Sequence, residues 1–123
     1  MTRLFIFLGA VNGFLAVGLG AFGAHGLKGK LSTDLLAVYH TGVQYHTTHA
    51  LALVAVGIAA HWWPDSPYLK AAGWSLLAGI VLFSGSLYLL SITGTRWLGA
   101  ITPLGGMAFL IAWVLFAIAA LRA

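Results

Sequence analysis

The chain has 123 residues, of which 61% are hydrophobic and 7% are charged, whereas a soluble domain carries about 25% charged residues. Six Lys and Arg and two Asp and Glu are too few to cover the surface of a water-soluble globule, so the composition indicates an integral membrane protein. The net charge of +4 comes from scattered cations, which excludes nucleic acid as a partner, and the absence of Cys excludes disulfides and thiolate chemistry.

Four apolar segments follow one another, each close to the roughly 20 residues that cross a hydrocarbon core of about 30 Å. The first occupies about residues 4–24 and ends at His25-Gly26, where we expect Gly26 to form a left-handed C-cap. Arg3 followed by an apolar stretch is also typical of a secretory signal. Because the apolar run of roughly 20 residues is longer than the hydrophobic region of such a signal, we interpret it as a retained span.

The second segment is longer than the first. Ser32 or Thr33 is expected to N-cap a helix that continues to Trp62, and Pro64 ends it. At about 1.5 Å per residue this helix is roughly 45 Å long, more than a bilayer core requires. We therefore expect residues 42–63 to cross the membrane and the polar turns before them to lie at the interface.

The third and fourth segments begin in the same way, with a hydroxyl residue followed by proline. Ser66-Pro67 opens the third and Thr102-Pro103 opens the fourth. A proline in the first helical turn lacks only a hydrogen bond that the helix cannot make there, so this pair marks a helix start.

The connections between the segments are short, which forces consecutive helices to be antiparallel neighbours. The sequence thus predicts one domain covering residues 1–123, an all-α integral membrane fold built as an up-down antiparallel four-transmembrane-helix bundle. The expected spans are about residues 4–24, 42–63, 71–92 and 102–121.

Charge does not decide the orientation of this bundle. Lys and Arg in short loops normally set it, but one side would carry Arg3, Lys70 and Arg122 and the other Lys28, Lys30 and Arg96. Either other signals fix the topology, or the chain inserts both ways and forms antiparallel dimers.

Small residues predict where the helices touch, because membrane helices associate where their backbones can approach closely. Gly9 and Gly13 form a Gly-x-x-x-Gly pair, Gly20 extends the same stripe, and Gly79 lies on a small-residue face of the third segment. We expect these faces to pack within one chain, with a homo-oligomer interface as the alternative.

Histidines are the most informative polar residues. Four of the five, His25, His40, His46 and His49, lie between the end of the first segment and the middle of the second. His46 and His49 are three residues apart, so they are expected to point into one space. Counted back from Trp62, His49 lies about 12 Å inside the opposite edge of the core, and ionisable groups at such depth suggest a function.

Three interpretations of these histidines remain open. In the first, each histidine is neutral and hydrogen-bonded by neighbouring helices. In the second, His25 and His49, with or without His46, bind a metal or haem. The third is a protonatable relay, a quinone site or a lipid headgroup site. No carboxylate lies at membrane depth, which argues against the metal and against proton-coupled drug export. No hydrolytic or nucleotide-binding motif appears, so the sequence indicates neither an enzyme nor a cofactor.

Four motifs resemble a known family. GAFGAHGL within 19–27, YHTTHALAL at 45–53, LFSGSLYLL at 82–90 and TPLGGMAF at 102–109 are similar to the small four-span bacterial inner-membrane proteins of the YgdD/YwdK type, to which a mitochondrial membrane protein of animals is similar. The resemblance covers nearly the whole chain. It implies a multi-pass protein of the bacterial inner membrane and no settled biochemical activity.

The resemblance also implies which residues form a site. An up-down bundle brings the four motifs to one side of the membrane, where we expect a polar half-membrane pocket. The ligand-binding candidates are His25, His46, His49, Ser84, Ser86, Tyr88 and Thr102, although the family varies at His46. The expected function is structural or ligand-binding. The alternatives are an accessory subunit or assembly factor of a larger membrane complex, and a small transporter or channel for a metal ion or small solute.

Overall fold

A computed structural model describes residues 1–122, and the regular structure in this range is entirely helical, as the sequence predicts. The elements are α1 (Thr2–His25), α2 (Thr33–Trp62), α3 (Pro67–Gly79), a π-helical turn (Ile80–Ser84), α4 (Gly85–Thr93), a 3-10 helix (Arg96–Ala100) and α5 (Thr102–Arg122). The helix α3, the π turn and α4 form one continuous rod, so the chain consists of four rods.

Three of the rods have the length and apolar character that crossing a membrane requires: Thr2–His25, Pro67–Thr93 and Arg96–Arg122. Their most apolar stretches have mean hydropathies of 2.0, 2.0 and 2.4. Helix α2 has 30 residues but is not among them, because polar residues fill its first half. The fold is therefore that of an all-helical membrane protein.

Two of the expected helix starts are confirmed. Ser32 accepts the backbone N–H of Leu35 at 3.2 Å and begins α2. Ser66 accepts the N–H of Leu69, also at 3.2 Å, and begins α3 with Pro67 in the first turn. Each hydroxyl satisfies a donor that the helix leaves free at its N-terminus.

The expected left-handed cap at Gly26 is wrong. Gly26 has φ −84°, a right-handed helical value, and its N–H bonds to the carbonyl of Phe22 at 2.6 Å. The chain leaves α1 through one more right-handed turn and reverses three residues later, at Gly29, where φ is +82°. Gly94, which ends α4, has the other positive φ in the described chain, +71°.

Helices α1 and α2 pack antiparallel along their whole length. Gly9 lies against Ala50 and Val54, and further along α1 Gly20 lies against Val43. Gly13, which the sequence predicts to share this contact, does not: a Cβ atom built there would meet no atom within 4 Å. The buried residues of α1 follow a slightly different stripe. Four residues rotate a helix by about 400° and not by one full turn of 360°, so positions four apart drift around the helix. The buried positions are Phe5, Gly9, Asn12, Ala16 and Gly23.

The rods α3–α4 and α5 also pack antiparallel. Gly79 lies against the ring of Phe109, as expected for a packing glycine, and Gly105 lies against the backbone of Phe83 in the π turn. These contacts, with α2 behind them, enclose an apolar core in the half of the bundle nearest Trp63. The core residues are Phe5, Ala52, Leu53, Val56, Ala60, Leu69, Ala72, Leu76, Ile80, Phe109, Ala112 and Ala119. Buried polar residues lie in the other half.

Candidate functional site

His46 is the centre of a hydrogen-bonded chain that links three helices. Its Nε2 lies 2.9 Å from Oδ1 of Asn12 on α1, and its Nδ1 lies 2.9 Å from the hydroxyl of Tyr88 on α4. The Asn12 amide nitrogen donates in turn to the carbonyl of Leu8 at 2.8 Å. His46 is 3% exposed, so no further group can reach the ring without displacing a partner.

The partners fix the direction of the bonds. Because the Asn12 nitrogen is donating to Leu8, its oxygen faces His46 and accepts a proton from Nε2–H. A neutral ring then has a lone pair at Nδ1, which accepts the O–H of Tyr88. The order Tyr88 to His46 to Asn12 to Leu8 ends on a backbone carbonyl, so the arrangement is a closed set of bonds and not an open path for protons.

Tyr39 extends this buried cluster toward the end of α1. It is fully buried, and its hydroxyl donates to the carbonyl of Leu19 at 2.5 Å. Its ring packs against Tyr88 with the centroids 5.2 Å apart, and it occupies the space that a side chain at Gly23 would need. The side chains of Asn12, Tyr39 and Tyr88, together with His46, thus hold α1 and α4 against α2.

His49 makes a second, separate set of bonds. Its Nδ1–H donates to the carbonyl of Tyr45 at 2.7 Å, and its Nε2 accepts the indole N–H of Trp113 on α5 at 3.1 Å. The imidazole also stacks on Phe109, with centroids 3.6 Å apart and planes at 9°. His49 is 4% exposed and, like His46, is held as a neutral ring by one donated and one accepted bond.

A lateral groove lies over His49. It has a volume of about 500 Å³ and separates α2 from α5 on the outer surface of the bundle. Its lining is mostly aromatic and apolar: Tyr45, Thr48, His49, Phe83, Pro103, Gly106, Met107, Phe109, Leu110 and Trp113. Tyr45, one of the lining residues, is 41% exposed.

The hydroxyl residues of the third and fourth motifs form a third cluster at the π turn. Ser84 donates to the carbonyl of Gly42 on α2 at 2.8 Å. Ser86 donates to the carbonyl of Phe83 at 2.9 Å and lies 2.6 Å from the hydroxyl of Thr102, which begins α5. Either hydroxyl of this pair can donate to the other, because Thr102 also reaches a carbonyl of its own, that of Leu98 at 3.4 Å. These bonds join α2, α4 and α5.

The structure thus does not bring the seven candidate residues to one cavity. His46 and Tyr88 share the first cluster, Ser84, Ser86 and Thr102 the third, and His49 lies alone under the groove. His25 is exposed at the end of α1. His46 and His49, although three residues apart, contact different helices.

A metal shared by His25 and His49 does not fit this geometry. Gly23 packs on Tyr39, so His25 lies about a dozen residues before His49 along α2, or roughly 18 Å at the rise of a helix. Among residues 1–122, no three His, Cys, Asp or Glu residues lie close enough together to hold a metal ion. Both nitrogens of His49 are already bonded.

Two contributors were not expected from the sequence as members of a site. Trp113 is not among the candidate site residues, yet it supplies the only side-chain donor to His49 in the described chain. Tyr39 lies in the turns of α2 that were assigned to the interface. The residue types gave a signal for both, because each is a large amphipathic ring whose polar hydrogen can bond to an acceptor.

Comparisons with known proteins identify the family to which the chain is similar. A family model described as "Protein of unknown function (DUF423)" matches residues 19–106. The chain is 57% identical over 120 residues to the UPF0382 membrane protein YwdK of Bacillus subtilis, covering 98% of each chain. It is 47% identical over 120 residues to a UPF0382 membrane protein of Staphylococcus aureus, covering 98% of this chain and 97% of the relative. No solved structure matches. The resemblance inferred from the four motifs is confirmed.

Proposed function

Because the chain belongs to this family of membrane proteins of unknown function (DUF423), we propose that it is a four-span protein of the bacterial plasma membrane that binds a lipid-soluble molecule in the lateral groove. The groove over His49 carries the proposal. The His46 and Ser84 clusters hold the helices in place, and the protein binds its ligand without converting it.

Helix α2 is the fourth span in this proposal. It is antiparallel to α1 and contacts it from Gly9 against Val54 to Gly23 against Tyr39. These contacts extend over about 14 residues of α1, or roughly 21 Å. A helix that accompanies a spanning neighbour over most of a 30 Å core must itself lie in the core. Polar side chains in such a helix are tolerated where they bond within the bundle, as His46 and His49 do.

The groove differs from the other two clusters because it is open. In the described chain, every buried side-chain nitrogen and oxygen already has a hydrogen-bond partner. The groove provides about 500 Å³ of space beside His49, a volume within the range of small-molecule sites. It opens sideways between α2 and α5, so a ligand enters from the lipid and not from water.

The lining defines the chemistry of this ligand. Flat apolar surface comes from Phe83, Phe109 and the indole of Trp113, which suits a ring or an acyl chain. Tyr45 is a partly exposed residue of the lining, and its phenolic O–H can donate to an oxygen acceptor. The site therefore fits an apolar molecule with a carbonyl oxygen, a feature that quinone rings and lipid esters share.

Quenching of tryptophan fluorescence by a short-chain quinone tests the proposal. Decylubiquinone added to the detergent-purified protein should quench saturably, because it stacks on Trp113. Trp113→Phe should remove most of the saturable component, whereas the matched variant Trp74→Phe, on the exposed side of α3, should retain it. Tyr45→Phe should weaken binding by about twofold to tenfold, the worth of one hydrogen bond.

Two further outcomes complete the experiment. Native mass spectrometry of the same protein shows whether a phospholipid co-purifies and leaves when decylubiquinone is added, in which case the lipid ester is the normal occupant. Quenching that rises linearly with the quinone and is equal in Trp113→Phe and Trp74→Phe would overturn the proposal.

A further inference from the structure

The outward face of α2 changes character at the middle of the helix. From the N-terminus to the middle it exposes polar residues, and after the middle it exposes apolar ones. The exposed polar residues are Thr33, Asp34, His40, Thr41, Gln44, Thr47 and Thr48, and the exposed apolar ones that follow on the same side are Leu51, Ala55 and Ile58. We refer to His40, Gln44, Thr47 and Thr48 as the polar face.

The polar face lies at a level where the rest of the molecule meets lipid. Gly42 packs against Leu87 and Tyr88, so Gln44 lies within a turn of the level of Leu89, which is 55% exposed on α4. On the other side, Val43 packs on Gly20 of α1, and the α1 side chain one turn away, Val17, is 72% exposed. Large apolar side chains exposed on two helices at the same level favour hydrocarbon as the surrounding solvent.

The two threonines of the polar face tolerate lipid without an outside partner, but Gln44 does not. Thr47 and Thr48 donate to the carbonyls of Val43 and Gln44 at 2.9 and 3.1 Å, so their hydroxyl protons are already bonded. Gln44 carries an exposed amide with two donors and one acceptor. Polar groups facing hydrocarbon are unfavourable, and between membrane helices amides of this kind hydrogen-bond across the interface.

We propose that Gln44 pairs with Gln44 of a second copy of this chain, in a parallel dimer whose two-fold axis lies along the membrane normal. This inference rests on the proposed four-span fold. An amide is self-complementary, since its N–H donates and its C=O accepts, so one residue type satisfies itself across a two-fold axis. The threonines beside Gln44 are small and leave room for the two α2 helices to approach closely.

The change at the middle of α2 decides between parallel and antiparallel copies. Gln44 lies about one turn before the midpoint of Thr33–Trp62. In an antiparallel pair it would therefore face Leu51, and the polar half of each helix would lie against the apolar half of the other. In a parallel pair, Gln44 meets Gln44 at the same depth and the apolar halves meet each other.

Disulfide crosslinking in native membranes tests the dimer, because the chain contains no Cys. Gln44→Cys should form a covalent dimer on oxidation with copper-phenanthroline. Phe14→Cys, at a comparable depth on α1 and 78% exposed, is the matched control and should remain monomeric. Gln44→Cys co-expressed with Leu51→Cys should give Gln44–Gln44 dimers in preference to mixed ones. A preference for mixed dimers, or equal crosslinking of Phe14→Cys, would overturn the proposal.

A second measurement does not depend on disulfide geometry. Resonance energy transfer between labelled copies in liposomes should show an association constant about threefold to tenfold lower for Gln44→Leu than for wild type, the worth of one bond between membrane helices. The thermal midpoint of Gln44→Leu should equal that of wild type in detergent at a dilution where both are monomeric, because the Gln44 residue is exposed on the bundle surface. Wild-type protein without energy transfer above that of a monomeric control refutes the dimer.

The failure of this inference can be told apart from failure of the four-span fold. Single cysteines at Lys30 and Asp65 mark the two ends of α2. If an impermeant thiol reagent labels both from the same side, α2 does not cross and the four-span fold fails. If it labels them from opposite sides and Gln44→Cys does not crosslink, only the dimer fails.

Discussion

Tyr88 shows how single residues determine the stability of this bundle. Its hydroxyl is the only donor to Nδ1 of His46 in the described chain, while its ring packs on Tyr39. The two roles are separable, because replacing Tyr with Phe removes the hydroxyl and keeps the ring. Hydrogen bonds between membrane helices average about 0.6 kcal/mol and reach about 1.7 kcal/mol, so the expected effect is measurable but does not unfold the protein.

Tyr88→Phe should lower the free energy of unfolding by about 0.5–2 kcal/mol, because it leaves a buried imidazole nitrogen without a partner. The measurement is unfolding by dodecyl sulfate in mixed micelles. Tyr68→Phe is the matched control, since it removes the same hydroxyl at the start of α3, and it should lose less than 0.5 kcal/mol on the scale of surface substitutions. Equal losses in the two variants would mean that the bond to His46 contributes nothing specific.

The sequence predicts that His46 and His49 lie deep in the bundle, but it does not predict which helices their rings contact. The spacing of His46 and His49 predicts adjacent positions on α2, and both are buried there. The shared space was not predictable, because a rotation of about 60° suffices to direct one ring to α1 and α4 and the other to α5. Which helix lies on each side of α2 is a property of the packed bundle and not of the local spacing.

At the scale of the elements, local chemistry in the sequence predicts most helix ends. It predicts the contacts between helices only in part. Ser32 and Ser66 cap as expected, because a hydroxyl and a free N–H three residues later suffice for a cap. Gly26 does not, because the next turn stays right-handed. Gly79 packs as expected and Gly13 does not, since a small residue permits a close approach without requiring one.

Gly105→Ala should destabilise the bundle by about 1–3 kcal/mol, the usual effect of overpacking a close contact. A Cβ atom there would lie 2.7 Å from Cα of Phe83, which is backbone and cannot rotate away. Gly13→Ala is the matched control, since its Cβ would meet nothing within 4 Å. It should be neutral or stabilising by up to about 1 kcal/mol, because alanine favours a helix over glycine. Unfolding in mixed micelles measures both, and a reversed order would contradict the contact.

At the scale of the whole molecule, the bundle has an apolar half near Trp63 and a polar half near the opposite ends of the helices. The apolar core of α2, α3 and α5 fills the first, and the His46 cluster, the hydroxyl cluster and the groove lie toward the second. The composition predicts the membrane location, because eight charges cannot solvate a globule of this size. It does not predict the sidedness, because the cations divide equally between the two ends.

The orientation in the membrane has a direct measurement. If the copies in a dimer are parallel, the simplest expectation is that all molecules share one orientation in the membrane. An impermeant maleimide applied to intact cells should then label either Lys30→Cys or Asp65→Cys and not both. Labelling should become equal for the two only after the membrane is opened. Half-labelling of each variant in intact cells would instead show that the chain inserts both ways, as its three-against-three distribution of Lys and Arg allows.

The π turn at Ile80–Ser84 acts as a one-residue insertion in an otherwise regular rod. Each added residue rotates everything after it by about 100° about the helix axis. The direction in which Ser86 and Tyr88 point is therefore set by the length of the chain before them and not only by their identity. Deleting Ile80 or Val81 from this turn would keep every motif of the sequence intact and still turn both hydroxyls away from Thr102 and His46. Sequence alignments of this family should accordingly tolerate substitutions within the turn more readily than a change in its length.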